Sequence, residues 1–113
     1  VENGRRHASV ALARALPVPE GRRSAQVLAH GSMEVRWYAP RGVDAQTPHD
    51  RDELYVVMSG EGWFVNGDSR ERFEAGDILF VPANVEHRFE EFSDDFGTWV
   101  IFYGPIGGET AGG

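Results

Sequence analysis

Between residues 24 and 104 the chain is a close succession of short runs rich in Val, Ile, Phe, Trp and Tyr, divided by turn residues. This pattern constrains the fold more than any other feature. The run "MEVRWYA" alternates strictly: Met33, Val35, Trp37 and Ala39 share one face, and Glu34, Arg36 and Tyr38 the other. Period two is the signature of a strand, since successive side chains point to opposite sides of the pleat. "HGS" at 30–32 is a turn dividing this run from "AQVLA". "WFVNGD" carries Asn66-Gly67, a strong hairpin signal because a tight turn needs residues that accept a left-handed backbone, and its return strand falls near "RERFE". "GDILFVP" (76–82), "VEHRFEEF" (85–92) and "GTWVIFYG" (97–104) complete a set of about eight strands. Short strands with turns at such spacing predict an all-β sandwich or small barrel.

At 113 residues the chain is one domain, with 41% hydrophobic and 26% charged residues, an ordinary balance for a globular protein. Residues 1–23 read as an N-terminal extension, with a short helix from Ser9 to Leu16 capped by Ser9 and stopped before Pro17. Residues 24–104 form the barrel, and 105–113 a flexible Gly-rich tail. Cysteine is absent, which removes disulfides, thiolate ligands and Cys nucleophiles together. The net charge is −7, and the eleven basic residues are all arginines scattered along the chain. An acidic chain without a basic stripe argues against nucleic-acid binding. No apolar run has the length of a membrane span. "RRHASVALARALPV" faintly resembles a secretory leader, but Arg14 breaks its apolar centre, so the expected location is cytoplasmic.

The stretch "TPHDRDELYVVMSGEG" (47–62) sets a carboxylate, Glu53, against the start of an apolar strand, where an unpaired charge is costly. On one straight strand His49 and Glu53 would be about 13 Å apart, at about 3.3 Å per residue, too far to share an ion. On a helix they would share a face, but the β-branched residues that follow favour strand and Pro48 resists a helix. The remaining geometry is a turn at residues 50–52, with His49 ending one strand and Glu53 opening the next. A second stretch, "GDILFVPANVEHRFEE", sets His87 between Val85 and Phe89 at period two, on an apolar side. Two histidines and one carboxylate from separate segments form a familiar metal-ligand set, with positions left open for water or substrate. His7 and His30 are more simply a tail and a turn residue.

These residues resemble the cupin superfamily. Its first motif is met by His49, three residues, Glu53, six residues and Gly60. Its second is met by Gly76, Pro82, Asn84, His87 and Glu91 at the family spacings, with the fifteen residues Glu61 to Ala75 between the motifs. The resemblance implies a cupin-type jelly roll with a short N-terminal extension and a divalent metal (Fe, Mn, Ni or Zn) on His49, Glu53 and His87. Thr47 stands where the family usually has its first histidine, so the fourth ligand is water or Gln46. Some cupins use glutamine at a ligand position. Gln46 has the wrong parity for a regular strand and would need a bulge beside Pro48. Asn84 replaces a glycine, a mild change because asparagine tolerates left-handed conformations.

The function so implied is a small metalloenzyme acting on an oxygen-rich small molecule, dioxygenase- or isomerase-like. The alternative is a non-catalytic small-molecule binder, a sensor or carrier. Most aromatics are packing residues. Tyr55 and Phe89 are the exceptions, expected to line the substrate pocket, with Tyr55 also the one candidate for a catalytic role. Arg36 and Arg88 read as surface arginines, and the carboxylates between Glu86 and Asp95 as a solvated rim. Leu54, Val56 and Met58 face away from Glu53 yet are apolar, so β-strand 53–58 needs an outer cover. An N-terminal strand or a second subunit would supply it, and a homodimer is expected.

Overall fold

The computed structural model describes residues 3–110. Its strands, in chain order, are β1 (Ala25–His30), β2 (Met33–Tyr38), β3 (Asp52–Ser59), β4 (Glu61–Asn66), β5 (Ser69–Glu74), β6 (Ile78–Val81), β7 (His87–Glu90) and β8 (Gly97–Tyr103), preceded by helix α1 (Val10–Ala15). They form a five-stranded sheet, β1-β2-β8-β3-β6, and a three-stranded sheet, β5-β4-β7, all antiparallel. The observed fold is the all-β sandwich expected from the strand runs, in the jelly-roll form that the family resemblance implies. Among the described residues no helix is long and apolar enough to cross a membrane.

The core lies between the two sheets. Tyr55 and Val57 of β3, Phe64 of β4, Phe73 of β5, Phe89 of β7 and Val100 and Phe102 of β8 pack there with Tyr38 and Phe96. Phe89 is central, with its ring 4.6 Å from both Phe64 and Phe96 and 4.9 Å from Tyr55. Full burial of one such side chain contributes about 1.5–3 kcal/mol. Cross-strand register carries the pattern over the sheet. Glu34, Phe102, Glu53 and Val81 form one inward row, and Arg36, Val100, Tyr55 and Leu79 the next.

A second cluster sits outside the large sheet. Trp37 and Val27 pack against Ala13 of α1, with Leu16, Leu28 and Trp99 around them. The apolar stripe of β2 therefore faces the N-terminal segment, while Tyr38 turns inward. Six residues are too few for a helix to persist alone. α1 is held by this packing and by the Ser9 hydroxyl, which accepts a hydrogen bond from the Leu12 amide at 3.0 Å. The cover is a helix rather than a strand, and its cluster does not include Leu54, Val56 or Met58. On the same outer face Met58, Ile78 and Phe80 are 42%, 66% and 49% exposed. At the C-terminal end the Gly107 amide donates to Asp50 at 2.7 Å and the Glu109 amide to the Asp52 carboxylate at 2.8 Å. Residues 1, 2 and 111–113 of the two end segments lie outside the described residues.

Gly60 joins β3 to β4 at a φ of +85°, and a Cβ there would lie 2.6 Å from the Phe96 backbone. It meets both conditions that demand glycine. Gly42, at a φ of +74°, has open space around it. Gly60→Ala is therefore expected to cost about 3 kcal/mol in urea unfolding, and Gly42→Ala only about 1–2 kcal/mol. Equal losses would remove the steric part of this argument.

Candidate metal centre

Two elements of the regular framework aim at one point. β3 opens at Asp52, so period two sends Glu53, Tyr55 and Val57 inward, each at most 1% exposed. β7 begins at His87, which points inward with Phe89. The third contributor differs from the expectation. His49 does not end a strand: residues 39–51 form no regular strand, and Pro40 and Pro48 cannot donate ladder bonds. Gln46 consequently needs no bulge, because strand parity does not apply to it.

The irregular segment and the start of β3 are tied to the turn before β7 by two amide donors of that turn. The Asn84 amide donates to the His49 carbonyl at 2.7 Å, and the Ala83 amide to Asp52 Oδ1 at 2.9 Å. Asn84 adopts a φ of +67°, the left-handed conformation anticipated for it. These tethers bring the two sequence motifs together.

One ligand atom from each of His49, Glu53 and His87 lies within 4.8 Å of the others. His87 Nε2 is 2.8 Å from Glu53 Oε1. Gln46 Oε1 joins them, 3.3 Å from His49 Nε2, 3.2 Å from His87 Nε2 and 3.2 Å from the Tyr55 hydroxyl, which donates to it. The orientation of the Gln46 amide is set from behind. Its Nε2 donates to Asp44 Oδ2 at 2.7 Å, and a carboxylate can only accept, so the carbonyl end must face the imidazoles. Asp44 is buried and also accepts from the Phe89 amide at 2.8 Å and from the Tyr38 hydroxyl.

The donor set fits a cation. Both carboxylate oxygens of Glu53 are buried without accepting a hydrogen bond, although His87 approaches at ion-pair distance. His87 Nδ1 lies 2.8 Å from the Val85 carbonyl, which can only accept, so Nδ1 carries the proton. In neutral His87, Nε2 then presents a lone pair to Glu53 Oε1 and Gln46 Oε1 together. Three acceptors facing one another repel unless a positive charge stands among them: a second imidazole proton or a metal ion. Burial disfavours the His87 imidazolium, but Glu53 and the Val85 carbonyl outweigh it and raise the pKa above its ordinary value. For His49 burial wins over Glu53 and the pKa is lowered, keeping the ring a neutral ligand. Burial, aided by Glu53, pushes the Tyr55 phenol well above its ordinary value, so it remains a donor and does not serve as a base.

A cavity of about 50 Å³ adjoins the cluster and includes Tyr55 in its wall. Phe89, expected beside it, is absent from that wall. It packs among Phe64, Phe73 and Phe96, one inward position further along β7 than His87. Arg36 also departs from expectation. It is 4% exposed, and donates to the Ser24 hydroxyl, the Ser24 carbonyl and Glu34 at 2.6–2.7 Å. Inward-facing β2 places it there. Arg88 is partly exposed and pairs with Glu86 and Glu90, a surface arginine as expected. A larger depression of about 520 Å³ lies against β1, between Arg5, Arg6 and His30. It lacks convergent buried polar groups, so the small cavity is the better candidate. Asp44 escaped the sequence reading. A lone carboxylate in an irregular segment looks solvated, and only its place two residues before Gln46 hints at a supporting role.

A two-layer jelly roll with two histidines and a glutamate converging inside it is the architecture of a cupin. Residues 35–103, more than half of the chain, match the cupin domain family, and the chain belongs to that family. An uncharacterized protein of Streptomyces coelicolor is 35% identical over 82 residues, which cover 71% of this chain and 78% of that one. Acireductone dioxygenase of Heterostelium pallidum is 39% identical over 46 residues, 36% of this chain and 32% of the enzyme, so the chain spans about a third of that relative. Among solved structures, a cupin 2 conserved barrel domain protein from Salinispora arenicola superposes with a TM-score of 0.67 at 22% identity, over 90% of this chain and 91% of that one. This last likeness is one of fold.

Removing Asp44 strands four donors: the Phe89 amide, the Tyr38 hydroxyl and both the backbone and side-chain amides of Gln46. Asp44→Ala is expected to lower stability by about 3 kcal/mol, read by denaturant unfolding, and to speed hydrogen exchange at the Phe89 amide. Unchanged exchange there would show that Asp44 is not its acceptor.

Proposed function

We propose that this chain is a metal-binding cupin, a small metalloenzyme acting on an oxygen-rich small molecule, with dioxygenase- or isomerase-like chemistry. His49, Glu53 and His87 would hold a divalent ion (Fe, Mn, Ni or Zn), and Gln46 Oε1 is the proposed fourth ligand. The observation that carries this reading is the Glu53 carboxylate, buried and accepting no hydrogen bond, beside imidazole and amide acceptors. A set of two imidazoles, one carboxylate and one amide oxygen suits these borderline metals. When bound, the ion supplies Lewis-acid chemistry, and ferrous iron adds reactivity towards dioxygen. The partial likeness to acireductone dioxygenase supports the dioxygenase side of the reading. The protein's own part is to hold the donors together, with Asp44 fixing the Gln46 amide. Tyr55 keeps its proton and donates a hydrogen bond to Gln46 Oε1, which helps hold that oxygen in place. Val100 and Phe102 wall the cavity and limit water.

One observation favours the alternative of a non-catalytic binder. With Tyr55 held protonated and Glu53 engaged, the cavity wall offers no independent general base. Metal analysis of untagged protein tests the site first. Near-stoichiometric metal is expected in the wild type and a large loss in His49→Ala and His87→Ala. Equal content in all three would end the assignment. Turnover of small diketones, catechols or thiols by the loaded protein then separates enzyme from binder.

The outer face of β3 and β6 is proposed to pair two copies as a homodimer. Register sets Leu54 beside Phe80 and Val56 beside Ile78, so the exposed Ile78, Phe80 and Met58 extend a half-buried apolar strip on an edge strand. A strip of this kind is self-complementary across a two-fold axis. Sedimentation at micromolar concentration should show a dimer for the wild type and a monomer for Phe80→Glu. A monomeric wild type would remove the proposal.

A further inference from the structure

Beyond the small cavity the cluster opens into a cleft of about 270 Å³, and the two share Arg23, Ser24, His49 and Phe102. The cleft's charge is opposite to that of the chain. Arg22, Arg23, Arg36 and Arg51 line it against only Glu34 and Asp50, an excess of two positive charges in a protein of net charge −7. The four arginines are not equivalent. Arg36 spends its donors on Ser24 and Glu34. Arg51 is bound to the Ser32 carbonyl and Glu34, with its guanidinium 5.4 Å from the Phe102 ring centre. Glu34, neutralised by both, leaves nothing over for the others. Burial alone would raise its pKa, but the bonds from Gln26, Arg36 and Arg51 hold it below the ordinary carboxylate value, so it stays charged and occupied.

Arg23 is different. Among the described residues neither its side chain nor that of Arg22 has an ion pair or a hydrogen bond, but of the four arginines Arg23 alone lines both the cleft and the inner cavity. Its charge is felt at the Tyr38 hydroxyl on the cavity wall. A guanidinium presents paired donors that match a carboxylate, and it keeps its charge at any ordinary pH.

We propose that this cleft is an anion subsite: the ligand of the cupin site is a small organic acid, with one carboxylate held by Arg23 while its other end reaches the cluster of Gln46, His49, Glu53 and His87. Only the second anchor rests on the metal-centre reading; the Arg23 contact stands on the cleft itself. The volume lies just under the usual range for ligand pockets, about 300–1,000 Å³, and so selects a short acid over a nucleotide or lipid. Arg36 and Arg51 are already committed to Glu34 and to backbone carbonyls, so they hold the walls and add to the field.

The test is calorimetric titration of malonate and succinate, with malonamide and succinamide as neutral isosteres, into the full chain. Wild type, Arg23→Ala, Arg23→Lys and Arg88→Ala are each measured metal-free and loaded with Mn²⁺. The dicarboxylates should bind and the diamides should not. Arg23→Ala should weaken dicarboxylate binding by about tenfold to a hundredfold, Arg23→Lys by less, and Arg88→Ala not at all, with Mn²⁺ content unchanged throughout. Equal binding by Arg23→Ala and wild type would overturn the proposal, as would diamides binding as tightly as the acids, or no dicarboxylate binding. If the wild type takes up no Mn²⁺ but still binds dicarboxylates through Arg23, the metal centre fails and the anion subsite stands.

Discussion

Glu53 is a carboxylate with 1% exposure inside a sandwich of aromatic rings, and that one charge organises its surroundings. An uncompensated buried carboxylate costs several kcal/mol even after the protein relaxes around it. An apolar residue on the same inward row of β3 would pack against Phe102 and Val81 without that cost. Nothing about the fold's stability calls for the glutamate. Among the described residues no arginine reaches it, and its ion-pair neighbour is His87, which neutralises it only when that imidazole is protonated. With neutral rings its neighbours are lone-pair donors: two imidazoles and an amide carbonyl. A cluster assembled for stability would hold alternating donors and acceptors. This one, with its rings neutral, is short of positive charge.

Behind the cluster runs a second line of buried polar groups, and it has the opposite character. Asp44 is fully engaged, accepting from a backbone amide, a side-chain amide and a phenol. Satisfied buried networks rigidify, whereas half-satisfied ones are costly. Asp44 thus converts the stability of the β7 backbone into a fixed orientation for Gln46, which like His49 is not anchored on a strand. The core and the site are joined through this carboxylate, and the line from the Phe89 amide to the two imidazoles has no gap.

How much of this was legible follows from which rule governs each residue. Glu53, Tyr55, His87 and Phe89 stand on regular strands, so period two gave their inward direction, and motif spacing linked the two segments. His49 was placed correctly in space for a partly wrong reason, since it leaves an irregular segment and not a strand end. Gln46 and Asp44 lie in that same segment, where alternation carries no information and only hydrogen bonds decide direction. β2 misled differently. Its apolar stripe suggests an interior face, yet that stripe meets α1, and Arg36 and Tyr38 turn inward. A sheet covered on both sides has two interiors, and a pattern read from one strand cannot say which holds the site. Phe89 shows the limit of sharing a face. A side chain on the same side as His87, two residues on, lies a full step deeper into the packed end.

The arrangement also explains how mutually repelling groups stay together before any ion arrives. The Asn84 amide on the His49 carbonyl and the Ala83 amide on the Asp52 carboxylate tie the two motifs together, and neither bond uses an atom of the Glu53, His49 or His87 donor set. The cost of gathering the acceptors is therefore met by strand pairing, by these ties and by the aromatic core. A site preorganised in this way loses little conformational entropy on binding, so more of the coordination energy appears as affinity. The left-handed backbone of Asn84 belongs to the same logic. It directs the chain from Pro82 so that one amide meets His49 and the next strand opens with His87 facing Glu53. The left-handed residue and the charged one serve the same convergence, one by shaping the approach and the other by calling for positive charge at its end, from an imidazole proton or a metal ion.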